Sequence, residues 1–163
     1  MFDATLTQLA TEVLEACRRH ARMLATAESC TGGLIAGCLT AIPGSSDIVD
    51  RGFVTYSNDA KAELLAIAPG LIRDNGAVSE RVARAMAEGA LELSHADITI
   101  ACTGIAGPGG GTPDKPVGRV HIASASRDGK TLHQLMDYGD IGRDAVRYAT
   151  VRDALLMLKG RLT

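Results

Sequence analysis

Apolar residues recur every three or four positions near the start of the chain, at Leu6, Leu9, Ala10, Val13 and Cys17. That period predicts a helix with one face turned to a core. Thr5 and Gln8 have the spacing of a capping box at its start. The pattern then shortens. Residues 23–27, MLATA, form a brief apolar run that ends in turn chemistry, the mark of a buried strand. GGLIAGCLTAI reads as helix and stops at Pro43-Gly44. GFVTYS, residues 52–57, is β-branched and aromatic and predicts a second strand. NDAKAELLAI follows as a short helix capped by Ser57 or Asn58. Ser79 opens the clearest helix, with Val82, Ala85, Met86, Gly89, Ala90 and Leu93 along one face. DITIACTG, 97–104, is a third strand. RVHIASAS (119–126), RDGK and TLHQLMDY (131–138) predict a hairpin. A last helix spans 142–159, with Val146, Thr150, Val151, Ala154, Leu155 and Leu158 inward.

Strands alternating with helices, then a hairpin, then a helix, imply an α/β fold: a three-layer α/β/α sandwich with a mixed, mostly parallel sheet and one antiparallel edge. No internal repeat, low-complexity tract or linker interrupts the chain, so residues 1–163 read as one domain.

Composition narrows the partners. A chain of 163 residues buries about 68–70% of its unfolded surface, enough for a core without staples. Apolar residues are 46% but aromatics only 3%, with no Trp. The core must be built from Ala, Val, Ile, Leu and Met, and little remains for stacking on bases. The net charge is −2, with Lys and Arg interspersed among Asp and Glu, which argues against a nucleic-acid partner. The start, MFDATLTQLA, has no basic stretch before an apolar core, and no segment reads as membrane-spanning, so a cytoplasmic location is expected. Cys17, Cys30, Cys38 and Cys102 form no Cys-x-x-Cys pair. Cys17 and Cys38 fall on apolar helical faces and read as core. The four histidines show no ligand spacing, so no metal site is expected, and no motif along the chain calls for a cofactor.

Two junctions remain where a strand runs into glycines: AESCTGG at 27–33 and CTGIAGPGGG at 102–111. Ligands of open α/β sheets bind beyond the carboxyl ends of the strands, where both would lie. Neither junction is a P-loop or a dinucleotide fingerprint. A helix starting at Thr31 to Gly33 would offer free N–H groups to a phosphate, a carboxylate or an oxyanion. By pattern alone Ser29 is a helix cap, Lys61 a solvated lysine and Thr103 a strand-end hydroxyl. The position of Lys61 in the first turn of its helix points the other way. The dipole disfavours a cation there and lowers its pKa, which suits a general base. A serine paired with a lysine is a recognised variant of hydrolase chemistry.

TAESCTGG, PGSSDIVDRGFVTYSNDAK, GAVSE, TGIAGPGGG with KPVG, and GRDAVR together resemble the C-terminal domain family of the competence/damage-inducible protein CinA, over roughly residues 6–158. Stand-alone members are nicotinamide-nucleotide amidases. The resemblance implies that nicotinamide mononucleotide (NMN) and water give nicotinate mononucleotide and ammonia through an acyl-enzyme, with no metal. Longer relatives carry an additional N-terminal domain, so a chain of this length looks like the stand-alone form, a homodimer by family. Ser29 matches the nucleophile, Lys61 its base, Tyr56 a positioning residue and Thr103 a hydroxyl near the reacting centre. We place the oxyanion at the N–H groups of Thr31, Gly32 and Gly33. The loop 104–111, with Gly104, Gly107 and Gly109, would wrap the substrate. Arg143 and Arg147 are the expected phosphate partners, since guanidinium binds phosphate with a fork of donors. Gly142 departs from the acidic or amide residue usual before the first of these arginines. The competing reading is a nucleotide-binding module without catalysis, linked to competence or DNA damage, in which Ser29 only caps a helix.

Overall fold

The computed structural model describes residues 1–163. One inner strand of its sheet is β1 (Leu24–Glu28), in which all five residues are buried. β2 (Val49–Val54) and β3 (Ile98–Gly104) flank it, both parallel to it. β4 (Arg119–Ser126) pairs antiparallel with β3, and β5 (Gly129–Asp137) antiparallel with β4. The sheet order is β2-β1-β3-β4-β5. Four strands therefore point one way and only β4 the other, so the sheet is mixed and mostly parallel.

Alternation along the strands feeds two unlike faces. Leu24, Ile98, Ile100, Cys102, Val120 and Ile122 meet α1 (Ala4–Arg19), α2 (Leu34–Thr40) and α6 (Arg143–Leu162). Ala27, Ala101, Ala123 and Ala125 face α3 (Asn58–Leu65), α4 (Pro69–Asn75) and α5 (Glu80–Glu92). The first face is filled by bulky side chains. The second is lined with alanine, so α5 lies close to it, and Thr99 Oγ1 reaches the carbonyl of Ala87 at 2.7 Å. The three-layer sandwich expected from the sequence is the observed fold. All six residues expected to face inward from α6 are buried. No helix is long and apolar enough to cross a membrane.

Several local expectations need correction. The first helix is capped by Asp3, whose carboxylate accepts from the Leu6 N–H at 2.9 Å. Thr5 lies inside that helix, and Gln8 donates to Glu12 instead. A carboxylate one turn ahead of the apolar face takes the orphan amide before the hydroxyl of Thr5. The second strand starts at Val49 and ends at Val54. Beyond it the Thr55 N–H turns to the carbonyl of Glu28, and Ser57 caps α3. The hairpin turn is only Arg127-Asp128, since Ser126 already pairs with Gly129. α4 and a 3₁₀ turn at Ser45–Asp47 were not anticipated. Seven and three residues are too few to show a period.

Gly89 marks where α5 meets α3. A Cβ there would lie 2.2 Å from the carbonyl oxygen of Leu65, a backbone atom that no side-chain rotation can move. Gly89→Ala should gain about 1 kcal/mol of helix propensity but lose about 1–3 kcal/mol to overpacking. The clash is with backbone, so the loss should prevail. Thermal unfolding should show a lower midpoint, by about 2–4 °C per kcal/mol for a chain of this size; an unchanged or raised midpoint would contradict the close approach.

Candidate active site

β1 ends on a charged residue with no exposed surface. The carboxylate of Glu28 accepts from Thr31 Oγ1 at 2.5 Å and from the backbone N–H groups of Gly33 (3.1 Å), Ile35 (3.0 Å) and Ala36 (2.8 Å). α2 begins only at Leu34, and its cap residue, Gly33, offers no side chain. Glu28 therefore supplies from the strand the acceptors that a helix N-terminus lacks. Ser29 is left free of that duty, and the reading of Ser29 as a cap is overturned. The serine sits in the turn between, its N–H donated to the Cys102 carbonyl (3.0 Å) and its carbonyl receiving the Gly32 N–H (3.0 Å).

Lys61 approaches from the other layer. Ser57 caps α3 and puts Lys61 in its first turn. The side chain runs inward, 1% exposed, and Nζ donates to Ser29 Oγ at 3.0 Å and to the Thr55 carbonyl at 2.9 Å. It makes no ion pair; the salt bridges of the molecule lie elsewhere. Burial lowers its pKa from the usual lysine value, because the ammonium loses hydration and gains no counter-charge. A neutral amine has two hydrogens and one lone pair. With one hydrogen on Thr55, the lone pair can take the proton of Ser29.

The two side chains open into a cavity of about 280 Å³. Its walls are Tyr56 and Asn58 before and within α3, Ala77 and Val78 ahead of α5, Thr103, and the loop after β3 through Gly110. Thr103 donates its hydroxyl to the Ala77 carbonyl at 2.9 Å. Its proton is thereby fixed, and its lone pairs remain. Gly104, Gly107 and Gly109 all line the cavity. Gly107 adopts φ +83°, and a Cβ on it would stand 2.6 Å from Val117, so the loop needs glycine there. From the start of α6, Arg143 donates Nη1 to the Gly107 carbonyl and Nη2 to the Tyr56 hydroxyl, both at 2.9 Å. It is the one cation on the rim.

Arg147 does otherwise. It lies outside the cavity lining and donates to the carbonyls of Cys30 (3.2 Å) and Thr31 (3.1 Å), bracing the turn from behind. The oxyanion expectation also shifts. The Gly32 and Gly33 amides are occupied by Ser29 and Glu28, whereas those of Cys30 and Thr31 donate to no oxygen of the chain. Sequence reasoning missed Glu28 and Asn58. A lone glutamate closing an apolar strand just ahead of an uncapped helix was the readable signal for the first. No cluster of three or more His, Cys, Asp or Glu is close enough to hold a metal ion.

A family model described as the CinA C-terminal domain matches residues 6–162. A CinA-like protein of Geobacter metallireducens is 51% identical over 152 residues, covering 93% of this chain and 36% of the relative. One from Synechococcus sp. is 48% identical over 162 residues, 99% of this chain and 39% of the relative. The chain thus spans about a third of the length of these curated relatives. Among solved structures, a competence/damage inducible protein CihA from Agrobacterium tumefaciens superposes with a TM-score of 0.96 at 52% identity, over 98% of this chain and 97% of that one. A competence-damaged protein (CinA) superfamily protein from Escherichia coli gives 0.90 at 34% identity, over 98% and 92%.

The lowered pKa of Lys61 has a signed consequence for stability. Between that value and the unfolded value near ~10.4, the unfolded chain holds a proton that the folded one lacks, so stability rises with pH. Lys61→Met removes the effect. The unfolding free energy of the parent minus that of Lys61→Met should therefore climb with pH across this window, by at most about 1.4 kcal/mol per unit. Paired urea titrations at several pH values would measure it, and a flat or falling difference would mean that Lys61 is charged in the fold.

Proposed function

The chain belongs to the CinA C-terminal domain family, and we propose that it hydrolyses the carboxamide of NMN to nicotinate mononucleotide and ammonia through an acyl-enzyme on Ser29. The observation that carries this reading is the Lys61 amine, buried without a counter-ion at 3.0 Å from Ser29 Oγ. A structural lysine has no reason to be desolvated against a serine hydroxyl. A general base does.

Neutral Lys61 takes the Ser29 proton as Oγ attacks the carboxamide carbon. The oxyanion is received by the free amide of Cys30, the residue after the nucleophile. Lys61, now protonated, hands its proton to the departing amine, and ammonia leaves. Water then attacks the nicotinoyl ester with Lys61 again as base. Thr103 offers lone pairs beside the reacting centre, and Tyr56 orders the rim through Arg143. The substrate phosphate falls to Arg143, which would exchange its present partners for a charge-assisted pair. Arg147 keeps the nucleophile turn in shape. The homodimer and the cytoplasmic setting remain part of this proposal.

Ammonia release from NMN by the purified protein tests the reaction, and no release would refute it. Ser29→Ala should abolish turnover, while Cys30→Ala, which keeps the amide, should retain most of it; the reverse result would identify the thiol as nucleophile. Arg143→Ala should raise KM for NMN by about 10–100-fold, the value of about one charge-assisted hydrogen bond, with little change for a pyridine amide lacking phosphate. Arg147→Ala should lower kcat for both substrates alike.

A further inference from the structure

Of the four cysteines, all unpaired and buried, two sit beneath the nucleophile. Cys30 follows Ser29 in the turn after β1 and lines the cavity. Cys102 precedes Thr103 on β3, in register with Glu28, and its carbonyl holds the Ser29 N–H. The two side chains enter the same packed cluster, on the face covered by α2 and α6. Thr31 Oγ1 lies 3.1 Å from Cys102 Sγ, which shows how closely the turn approaches β3. Cys17 and Cys38 share that face but stand on α1 and α2, away from the cavity.

We propose that Cys30 and Cys102 form an oxidisable pair, a modification site at the floor of the cavity that small peroxides convert to a disulfide. Chemical contrast among the thiols supports the geometry. The neighbouring Cys102 thiol holds Cys30 below the usual thiol range, and Cys30, with burial, holds Cys102 well above it. Burial pushes Cys17 and Cys38 up to about 11. Cys30 is thus the thiol that attacks, and the only one of the four that the cavity exposes to a small reagent.

The steps balance without another reactant. The Cys30 thiolate attacks the peroxide O–O bond, forming a sulfenic acid and releasing hydroxide or alkoxide, which takes up a proton as water or alcohol. The Cys102 sulfur then attacks the sulfenic sulfur, the S–S bond forms, and the sulfenic oxygen leaves as water with the Cys102 proton. Two thiols are oxidised by two electrons, and one peroxide is reduced. Bonding Cys30 to β3 draws the turn away from its place opposite Lys61, so the oxidised protein loses turnover until a dithiol restores it. That functional consequence rests on the amidase reading. The cross-link itself does not.

Treatment of the intact protein with hydrogen peroxide, then denaturing alkylation and non-reducing peptide mapping, tests the pair. Two of the four thiols should disappear, the mass should fall by two hydrogens, and a peptide joining Cys30 to Cys102 should appear and vanish with dithiothreitol. Cys102→Ala, or Cys30→Ala if that variant fails to fold, should give no cross-link. Four thiols surviving, a link through Cys17 or Cys38, or oxygen added to Cys30 without a link would each overturn the proposal. Thiol counting uses no substrate, so an absent amidase activity leaves this result readable. Loss and recovery of ammonia release in parallel would join the two.

Discussion

The carboxylate of Glu28 is fully buried, yet four donors surround it: one hydroxyl and three amides of the segment that follows. An unpaired charge at this depth would cost many kcal/mol. Here the donors come from a helix start that needs acceptors just as badly. The two deficits cancel, and in cancelling they fix α2 to the end of β1. The turn between them has no freedom left. Its carbonyls are braced by Arg147 and its first amide by β3. Ser29 is held where Lys61 can reach it, and the unengaged amides fall on Cys30 and Thr31.

Lys61 is treated in the opposite way. Its amine is also buried, but only neutral oxygens meet it. One ionisable group beside Ser29 is given every partner a charge requires, and the other is given none. Here the first positions the turn and the second is fitted to move a proton.

Much of the fold was legible because it rests on periodicity. The helix beginning after Ser79, the long last helix and the apolar strands each repeat their signal over enough residues to be read. α4 has seven residues and no face to repeat. The site was legible in part for another reason. Ser29, Lys61, Tyr56, Thr103 and Arg143 lie in motifs of unusual composition, and the fold brings all five to one cavity. What sequence could not convey was which polar groups are already engaged. The Gly32 and Gly33 amides and the guanidinium of Arg147 are of the right type for an anion. Each meets an acceptor from a distant or turned-back segment, and such pairings exist only in three dimensions.

The sheet separates the two halves of the Ser29–Lys61 contact. Ser29 leads into α2, packed on one layer, and Lys61 belongs to α3, packed on the other. Neither layer alone assembles the pair. A chain with one face docked and the other still open carries a serine without a base and a lysine in water, fully protonated. The Ser29–Lys61 contact is thus conditional on closure of both sides of the sandwich, and under the proposed reaction a half-folded chain would carry no activated serine.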